Sequence, residues 1–419
     1  MLACLAFACG LTPKVHVLND ETKRAIGLNA SRVYAPRELP SQSQYMSKMP
    51  KANRESKPLF VSYVLNLQRN CSKPVKFVRA HPHGFGSMIN YGLLAATASW
   101  IRGYRAVFVP DEHSDEAKSY FDLNVCDLQR HKKNIFACLF KRLAPFLCKE
   151  EDNKAYEELV LGMKNPYQNP MKFEDLRTLR DIVTQQNVFR ETTTTPWFWA
   201  QVYSLLFQQN SNFLADIKEQ TAKDSLTVKV AMSRFIGEVA SDGEAEAGEG
   251  TEVFVCVHMR GAEKFFDTQI IAPEVYVRAA LEKIVALKLK NAGKAIQHPY
   301  ILLISEDEDR TRLFKELVGK ASSRAPVVTL NPVQRHDSRK YLHVTQMVAA
   351  MNKCALADAV IATISSNIAR LLLYGHIENN KGRGNATFVS LDRWQLMFHA
   401  GIQETPPMID ITKPPFYPT

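Results

Sequence analysis

Four short polar clusters, each directly after an apolar segment, carry residue types that suit a negatively charged ligand. They are His81–Ser87 (HPHGFGS), Met259–Lys264 (MRGAEK), Glu306–Asp309 (EDED) and Ile364–Asn367 (ISSN). If the apolar segments are parallel strands, all four clusters lie at the carboxyl edge of a sheet, where open α/β sheets bind ligands. Their shared placement therefore predicts one site rather than four unrelated loops.

Arg260 is the residue best suited to bind a phosphate. Its guanidinium presents donors in a rigid fork that matches phosphate oxygens, and it follows the apolar segment 252–258. His258 lies two residues earlier, so both side chains point to one side of the strand. An ordinary surface or core pair is the alternative interpretation. We expect Arg260 to neutralise a diphosphate in a cleft.

Two loops that precede predicted helices are suited to present backbone amides to the same anion. Ser365 and Ser366 come before a helix, whose first N–H groups are unpaired, although serine there also serves as a simple cap. Gly84 and Gly86 allow close backbone approach before another helix. Ile89 interrupts a G-x-G-x-x-G dinucleotide fingerprint, so the glycine pair alone indicates only a tight turn.

Metal and thiol chemistry have weak sequence signals. The chain contains no H-E-x-x-H, no C-x-x-C and no P-loop. Asp307 and Asp309 form a D-x-D, which in many sugar-nucleotide transferases holds a divalent cation, but Asp309 could equally begin the next helix. We expect no metal ion and no separate cofactor. The alternative is a metal-dependent group transfer that uses Asp307 and Asp309. Cys256 and Cys354 lie in apolar segments and are predicted to be buried thiols.

The elements that must position these residues alternate between strand and helix. The predicted strands are 75–79, 105–109, 252–258, 300–305, 326–330, 358–363 and 387–391. The predicted helices are 87–102, 134–148, 173–185, 196–220, 273–289, 309–320, 339–355 and 366–376, and 196–220 is predicted as one long or broken helix. The strands beyond residue 252 are almost wholly apolar, as expected when helices cover both sheet faces. The sequence therefore predicts an α/β fold with a doubly wound, Rossmann-type parallel sheet in its C-terminal part.

Composition divides the chain into five predicted segments. They are an irregular stem or wrapping segment (1–70), an N-terminal α/β lobe with a helical region (71–240), an acidic linker loop (241–251), a Rossmann-like donor-binding lobe (252–400) and a C-terminal tail (401–419). With 46% apolar and 23% charged residues the chain has a globular composition, which excludes wholesale disorder. The net charge of +10 is dispersed, which suits small anions and indicates no nucleic-acid arm.

The N-terminal segment MLACLAFACGL (1–11) is apolar but short. It is consistent with the remnant of a signal or anchor, or with the terminus of a fragment. The chain has no run of 18 apolar residues, so we predict no complete transmembrane segment and membrane contact only through such an anchor. Three N-x-[ST] sequons permit a secretory route, and we expect the Golgi or ER lumen if the source is eukaryotic.

Six segments resemble GDP-fucose-dependent α1,6-fucosyltransferases in order and spacing. They are 83–94 (HGFGSMINYGLL), 196–217 (PWFWAQVYSLLFQQNSNFLADI), 257–264 (VHMRGAEK), 304–316 (ISEDEDRTRLFKE), 356–374 (LADAVIATISSNIARLLLY) and 391–401 (LDRWQLMFHAG). The segments 257–264, 304–316 and 356–374 resemble the first, second and third motifs of the family, and the first of these motifs has the pattern H-x-R-x-x-D-K. The resemblance implies a GT-B-like fold of two lobes and a metal-free, inverting transfer of fucose from GDP-fucose. Typical acceptors are the innermost GlcNAc of an N-glycan or a chitin oligosaccharide.

The resemblance also assigns roles to motif residues. The motif positions fall on His258, Arg260, Glu263, Lys264, Glu306, Asp307, Ser365 and Ser366. In the family the motif arginine binds the β-phosphate, while the two acids of the second motif bind guanine or support the site. His83, Gly84 and Gly86 belong to the first lobe, which closes the cleft. The family's base position falls on Thr268, so we expect the neighbouring Asp267 to take the acceptor proton.

The chain departs from the family pattern at two further places. Gly261 stands where a second arginine is usual, and the stretch 347–350 (MVAA) lacks a donor-contacting aspartate. Two alternatives therefore stay open, namely a protein O-fucosyltransferase-like enzyme and an inactive nucleotide-sugar or glycan-binding homologue. The expected partners are GDP-fucose and a glycan acceptor, without nucleic acid.

Overall fold

The computed structural model describes the residues that form the main sheet, its helices and a smaller β-α-β unit. These residues are 37–39, 61, 63–79, 85–109, 139–140, 196–241, 252–261, 271–291, 298–321, 325–330, 340–364, 366–379 and 387–391. All of them belong to one unit that begins at Pro36, and residues 1–35 form a second unit. The predicted helices 134–148 and 173–185 fall almost wholly outside the described residues, as do residues 242–251 of the predicted linker.

The described elements follow the predicted alternation. The strands are β1 (Arg37–Leu39), β2 (Val75–Arg79), β3 (Arg105–Val109), β4 (Phe254–His258), β5 (Tyr300–Ile304), β6 (Val327–Leu330), β7 (Ala359–Ala362) and β8 (Thr387–Ser390). The helices are α1 (Phe85–Ile101), α2 (Pro196–Leu206), α3 (Ser211–Ser241), α4 (Pro273–Lys290), α5 (Glu308–Ala321), α6 (Lys340–Cys354) and α7 (Asn367–Asn379). A further helical segment covers residues 63–69.

Six strands form the main sheet in the order β1-β8-β7-β4-β5-β6. The five strands from β8 to β6 are parallel, and β1 is antiparallel to β8 at one edge. The chain runs outward from β4 through β5 to β6, and then returns to β7 and β8 on the other side of β4. This is the Rossmann order, so the predicted α/β class with a doubly wound parallel sheet is confirmed.

Helices cover both faces of this sheet because alternate side chains of each strand point to opposite faces. Val255 and Val257 of β4 pack in the cluster that includes residues of α4 and α5. Phe254 and Cys256 face the other cluster, which includes residues of α6, α7, α1 and α2. All five residues of β4 are buried, which explains why the central strand is an uninterrupted apolar run up to His258.

A smaller β-α-β unit packs beside α7. Strands β2 and β3 pair in parallel, with Val75 opposite Arg105, and α1 connects them. Most of α1 is buried because the helix contacts α2 and α7 as well as its own two strands. The division into two lobes near residues 240–251 is not tested by these contacts and stays a prediction.

Three details differ from the sequence expectations. The predicted long or broken helix 196–220 is broken, since Asn210 caps α3 with its Oδ1 accepting the backbone N–H of Asn212 at 2.9 Å, and α3 runs on to Ser241, beyond the predicted end. Strand β1 adds a sheet edge from the region expected to be irregular. Cys256 and Cys354 are buried as expected but are not thiols, since the two are joined in a disulfide with Cα atoms 5.4 Å apart.

None of the helices in the described part of the chain combines the length and the hydrophobicity needed to cross a membrane.

Candidate functional site

The switch point of the sheet lies between β4 and β7, where the chain reverses its direction of winding. Parallel α/β sheets bind ligands in the crevice beyond the carboxyl ends of the strands at such a point. Met259 and Arg260 follow β4 here, and Thr363 and Ile364 follow β7. The second and fourth of the four predicted clusters, 259–264 and 364–367, therefore follow adjacent strands.

His258 and Arg260 extend the face of β4 that is covered by α6 and α7. Alternation along the strand places both on the side of Cys256, which packs in that cluster. His258 is buried, and Arg260 is partly exposed. Burial, and then the nearby positive charge of Arg260, lowers the pKa of His258 to about 4. The imidazole is therefore neutral at pH 7, and its buried Nδ1 finds no hydrogen-bond partner.

Ser366 is the N-terminal cap residue of α7. Its backbone N–H donates to the Thr363 carbonyl at 2.9 Å, and its own carbonyl accepts the N–H of Arg370 at 3.1 Å. The Thr363 hydroxyl is buried without a partner. Beyond Ser366 the first N–H groups of α7 have no intrahelical acceptor, so this end of the helix carries partial positive charge.

The first turn of α1 lies directly against this end of α7. A Cβ atom added to Gly86 would lie 3.0 Å from the backbone nitrogen of Ile368 and 3.0 Å from the Cβ of Asn367. Asn90 donates to the Gly86 carbonyl at 2.7 Å and to the Asn367 carbonyl at 2.9 Å. Asn367 in turn donates to the Ser87 hydroxyl at 2.6 Å. The glycine loop and the third motif thus meet at one place.

The two acids after β5 occupy different environments. Asp307 caps α5, since its Oδ1 accepts the backbone N–H of Arg310 at 3.0 Å. The side chain of Glu306 is 30% exposed, and its Oε1 lies 3.6 Å from Nε2 of the buried His343. Because His258 pairs with Ile304 in the sheet, Arg260 and Glu306 leave neighbouring strands at the same level. Both acids lie at the carboxyl edge and are partly exposed, so both stay predicted ligand residues.

Asp309, the other member of the D-x-D, lies on the exposed surface of α5. Its carboxylate accepts a hydrogen bond from Arg312 at 2.7 Å, and its side chain is 60% exposed. Within the described ranges, no three side chains of His, Cys, Asp or Glu are grouped closely enough to hold a metal ion.

Six predicted site residues thus fall at the carboxyl edge or at the α1–α7 contact, and six lie outside the described residues. The first set is Gly86, His258, Arg260, Glu306, Asp307 and Ser366, and the second is His83, Gly84, Glu263, Lys264, Asp267 and Ser365. Sequence reasoning did not single out Asn90 or His343. A lone asparagine in the otherwise apolar helix α1 was the available signal for Asn90, whereas His343 had none.

No protein-family model matches the chain, and no curated protein matches its sequence. Among solved structures, NodZ α-1,6-fucosyltransferase soaked with GDP-fucose is similar at a TM-score of 0.37 and 12% identity, over 72% of this chain and 92% of that one. An Arabidopsis thaliana FUT1 mutant in complex with GDP gives 0.34 and 11%, over 78% of each chain. POFUT1 in complex with GDP gives 0.30 and 11%, over 72% and 95%. Similarity at this level carries no functional argument, which must come from the chain's own residues.

Proposed function

We propose that this protein is a GDP-fucose-dependent inverting glycosyltransferase that transfers fucose to a glycan hydroxyl, α1,6 to a GlcNAc. One observation carries the proposal. Arg260 and the N-terminus of α7 follow the two strands that flank the switch point, and they belong to the segments that resemble the first and third fucosyltransferase motifs. A guanidinium and a helix N-terminus at adjacent strand ends suit a nucleoside diphosphate.

The leaving group of this reaction is GDP, which gains negative charge as the bond to fucose breaks. Arg260 stabilises that charge on the β-phosphate, and the amides after Ser366 act on the same diphosphate. His258 is neutral above pH 4, because its pKa is lowered to about 4, and therefore adds no charge to the site. Glu306 and the predicted ligands Gly84, Gly86 and His83 complete the donor site in this proposal.

A carboxylate must take the proton from the acceptor hydroxyl while that oxygen attacks the fucose carbon from the face opposite GDP. Asp267 is assigned this role in the proposal, and Glu263 and Lys264 of the first motif are assigned to the same catalytic centre. Attack from the opposite face inverts the configuration of the sugar. The reaction needs no metal in this scheme, so activity is expected to be undiminished in a chelator.

Thermal unfolding with a panel of sugar nucleotides tests the donor assignment, since a ligand that binds only the native state raises the melting temperature. GDP-fucose is expected to raise it more than GDP-mannose or UDP-GlcNAc at equal concentration. Transfer assays with N-glycan, chitin-oligomer and folded-peptide acceptors then identify the acceptor. Transfer only to Ser or Thr of a peptide would replace the glycan assignment with protein O-fucosylation. No shift with any GDP ligand would reject the proposal.

A non-catalytic nucleotide-sugar or glycan-binding homologue is the second candidate. The observation that favours it is the stretch 347–350, whose four apolar residues are all buried in the core and place no acid near the donor. Slow hydrolysis of GDP-fucose without acceptor would argue against this candidate. Residence in the Golgi or ER lumen, with an N-terminal anchor as the membrane contact, belongs to the same proposal and can be tested by localising the tagged full chain.

A further inference from the structure

Asn90 links the first turns of two helices through one buried amide group. The residue is 0% exposed, and its Nδ2 donates both to the Gly86 carbonyl of α1 and to the Asn367 carbonyl of α7. A second bond runs back from Asn367 to the Ser87 hydroxyl. We call Asn90, Asn367 and Ser87 the asparagine clamp. It joins segments 277 residues apart in the sequence.

The clamp holds together two helix ends that repel each other. Each helix N-terminus carries roughly half a positive elementary charge, and Gly86 brings the two ends into van der Waals contact. Like charges in contact need specific bonds to keep one arrangement, and an anion beside both ends would relieve the repulsion. The clamp thus contributes to the orientation of the first turn of α7, together with the packing of α7 against α2.

We infer that the asparagine clamp is a positioning device for the diphosphate of the donor, and that Asn90 is its principal residue. The inference rests on the proposed function, because it takes the α7 N-terminus as the phosphate site. Asn90 is buried and acts through the backbone amides of α7 instead of touching the ligand. Its loss should therefore weaken the phosphate contribution to binding and leave nucleoside binding unchanged.

The test compares GDP with guanosine, which lacks both phosphates. The ratio of the guanosine and GDP dissociation constants, measured by calorimetry, isolates the phosphate contribution. In Asn90→Ala we expect this ratio to fall ~10-fold, because displaced donor groups lose most of their benefit to the bound anion. Ser87→Ala removes only the second bond, and we expect a smaller fall in the same direction.

Thr97→Val is the matched control on the same helix. Thr97 is also 0% exposed, and its hydroxyl donates to the carbonyl four residues earlier, as Asn90 does, but it lies seven residues further along α1 than the clamp residue. We expect Thr97→Val to lower the melting temperature without changing the guanosine-to-GDP ratio. If Asn90→Ala and Ser87→Ala lower stability while the ratio stays at the wild-type value, the clamp is only structural and the inference is wrong.

A failure of the proposed function gives a different result. The wild-type protein would then show no preference for GDP over guanosine, and the positioning role would be rejected together with the phosphate site. If Asn90→Ala fails to fold, Ser87→Ala decides the matter, since Ser87 is only partly buried and its hydroxyl accepts a single clamp bond.

Discussion

The polar residues at the two ends of the main sheet differ in whether their hydrogen bonds are satisfied within the protein. At the amino end, the carboxylate of Glu252 accepts bonds from Tyr300 and from Lys353, the latter at 2.8 and 2.9 Å. Asp358 accepts the backbone N–H of Phe254 at 3.1 Å. At the carboxyl end, the buried Nδ1 of His258 and hydroxyl of Thr363 lack partners.

This difference separates stability from binding within one sheet. Polar groups that satisfy one another contribute to the free energy of unfolding and have little left for a ligand. Buried groups without partners cost stability, so each calls for an explanation such as a functional role or a bound water or ion. The comparison therefore predicts that variants at the amino end change stability alone, while variants at the carboxyl end change ligand binding.

The largest expected effect comes from Arg260→Ala. Removing a charged donor that binds a phosphate should lower GDP-fucose affinity and transfer roughly 10²–10³-fold. The melting temperature should stay near the wild-type value, because Arg260 is not part of the core. Arg278→Ala, which removes the same charge from the exposed surface of α4, is the control. Wild-type turnover in Arg260→Ala would break the donor-site assignment.

The second-largest expected effect is a loss of stability at acid pH. The pKa of His258 is lowered to about 4 by burial and by Arg260, and that of His376, at the other end of α7, is lowered to about 4 by burial. Between pH 6.5 and 4 the unfolded state binds more protons than the native state, so stability falls as the pH falls. Each histidine accounts for about 3 kcal/mol at most.

Denaturant unfolding at pH 7.5, 5.5 and 4.5 measures this slope. His258→Asn should remove about half of the acid-induced loss of stability. GDP should reduce the contribution of His258 to that loss, because a bound anion offsets the charge of Arg260. The contribution of His376, at the amino end, should be the same with and without GDP. Equal slopes in the wild type and in His258→Asn would show that His258 does not titrate as described.

The third effect is a loss of stability at the amino end. Glu252→Ala removes the acceptor of Tyr300 and of Lys353, and we expect the free energy of unfolding to fall by about 1–2 kcal/mol. GDP affinity should be unchanged. Glu316→Ala, an exposed acid of α5, serves as the control and should change neither quantity. A loss of GDP affinity in Glu252→Ala would contradict the separation of the two ends.

The smallest expected effects come from alanine substitutions at two glycines in helices. A Cβ at Gly319 meets nothing within 4 Å, so Gly319→Ala should stabilise the protein by up to about 1 kcal/mol. A Cβ at Gly86 would crowd the backbone of Ile368, so Gly86→Ala should lose that benefit and weaken GDP binding several-fold. Calorimetric binding and unfolding of both variants check this. Equal gains in stability would mean that the α1–α7 contact is looser than described.

Much of the fold could be predicted because the strands are apolar runs bounded by polar residues. The predicted bounds of β2 and β3 agree with the structure, and β5 ends one residue earlier than expected. The position of the break at Asn210 and the cap at Asp307 are local signals that were overlooked. Both residues are strong helix-cap formers directly before a helical stretch.

The positions of the main predicted site residues could be anticipated, whereas their contacts could not, and their roles stay predictions. Strand ends and motif resemblance indicate Arg260 and Ser366 from the sequence alone. Helix packing in the folded protein determines the bond between Asn90 and Asn367 and the approach of His343 to Glu306. No local pattern contains that information, because each contact joins parts of the chain that only the folded topology brings together.

Strand β1 pairs with β8 so that Arg37 lies opposite Ser390. During synthesis, β1 therefore leaves the ribosome long before its partner strand β8 is made. Until β8 is made, β1 lacks the strand with which it pairs. The completed sheet edge forms only after the chain has been made as far as residue 387. Shortened versions of the protein must keep both strands, or the exposed β8 edge becomes a template for aggregation.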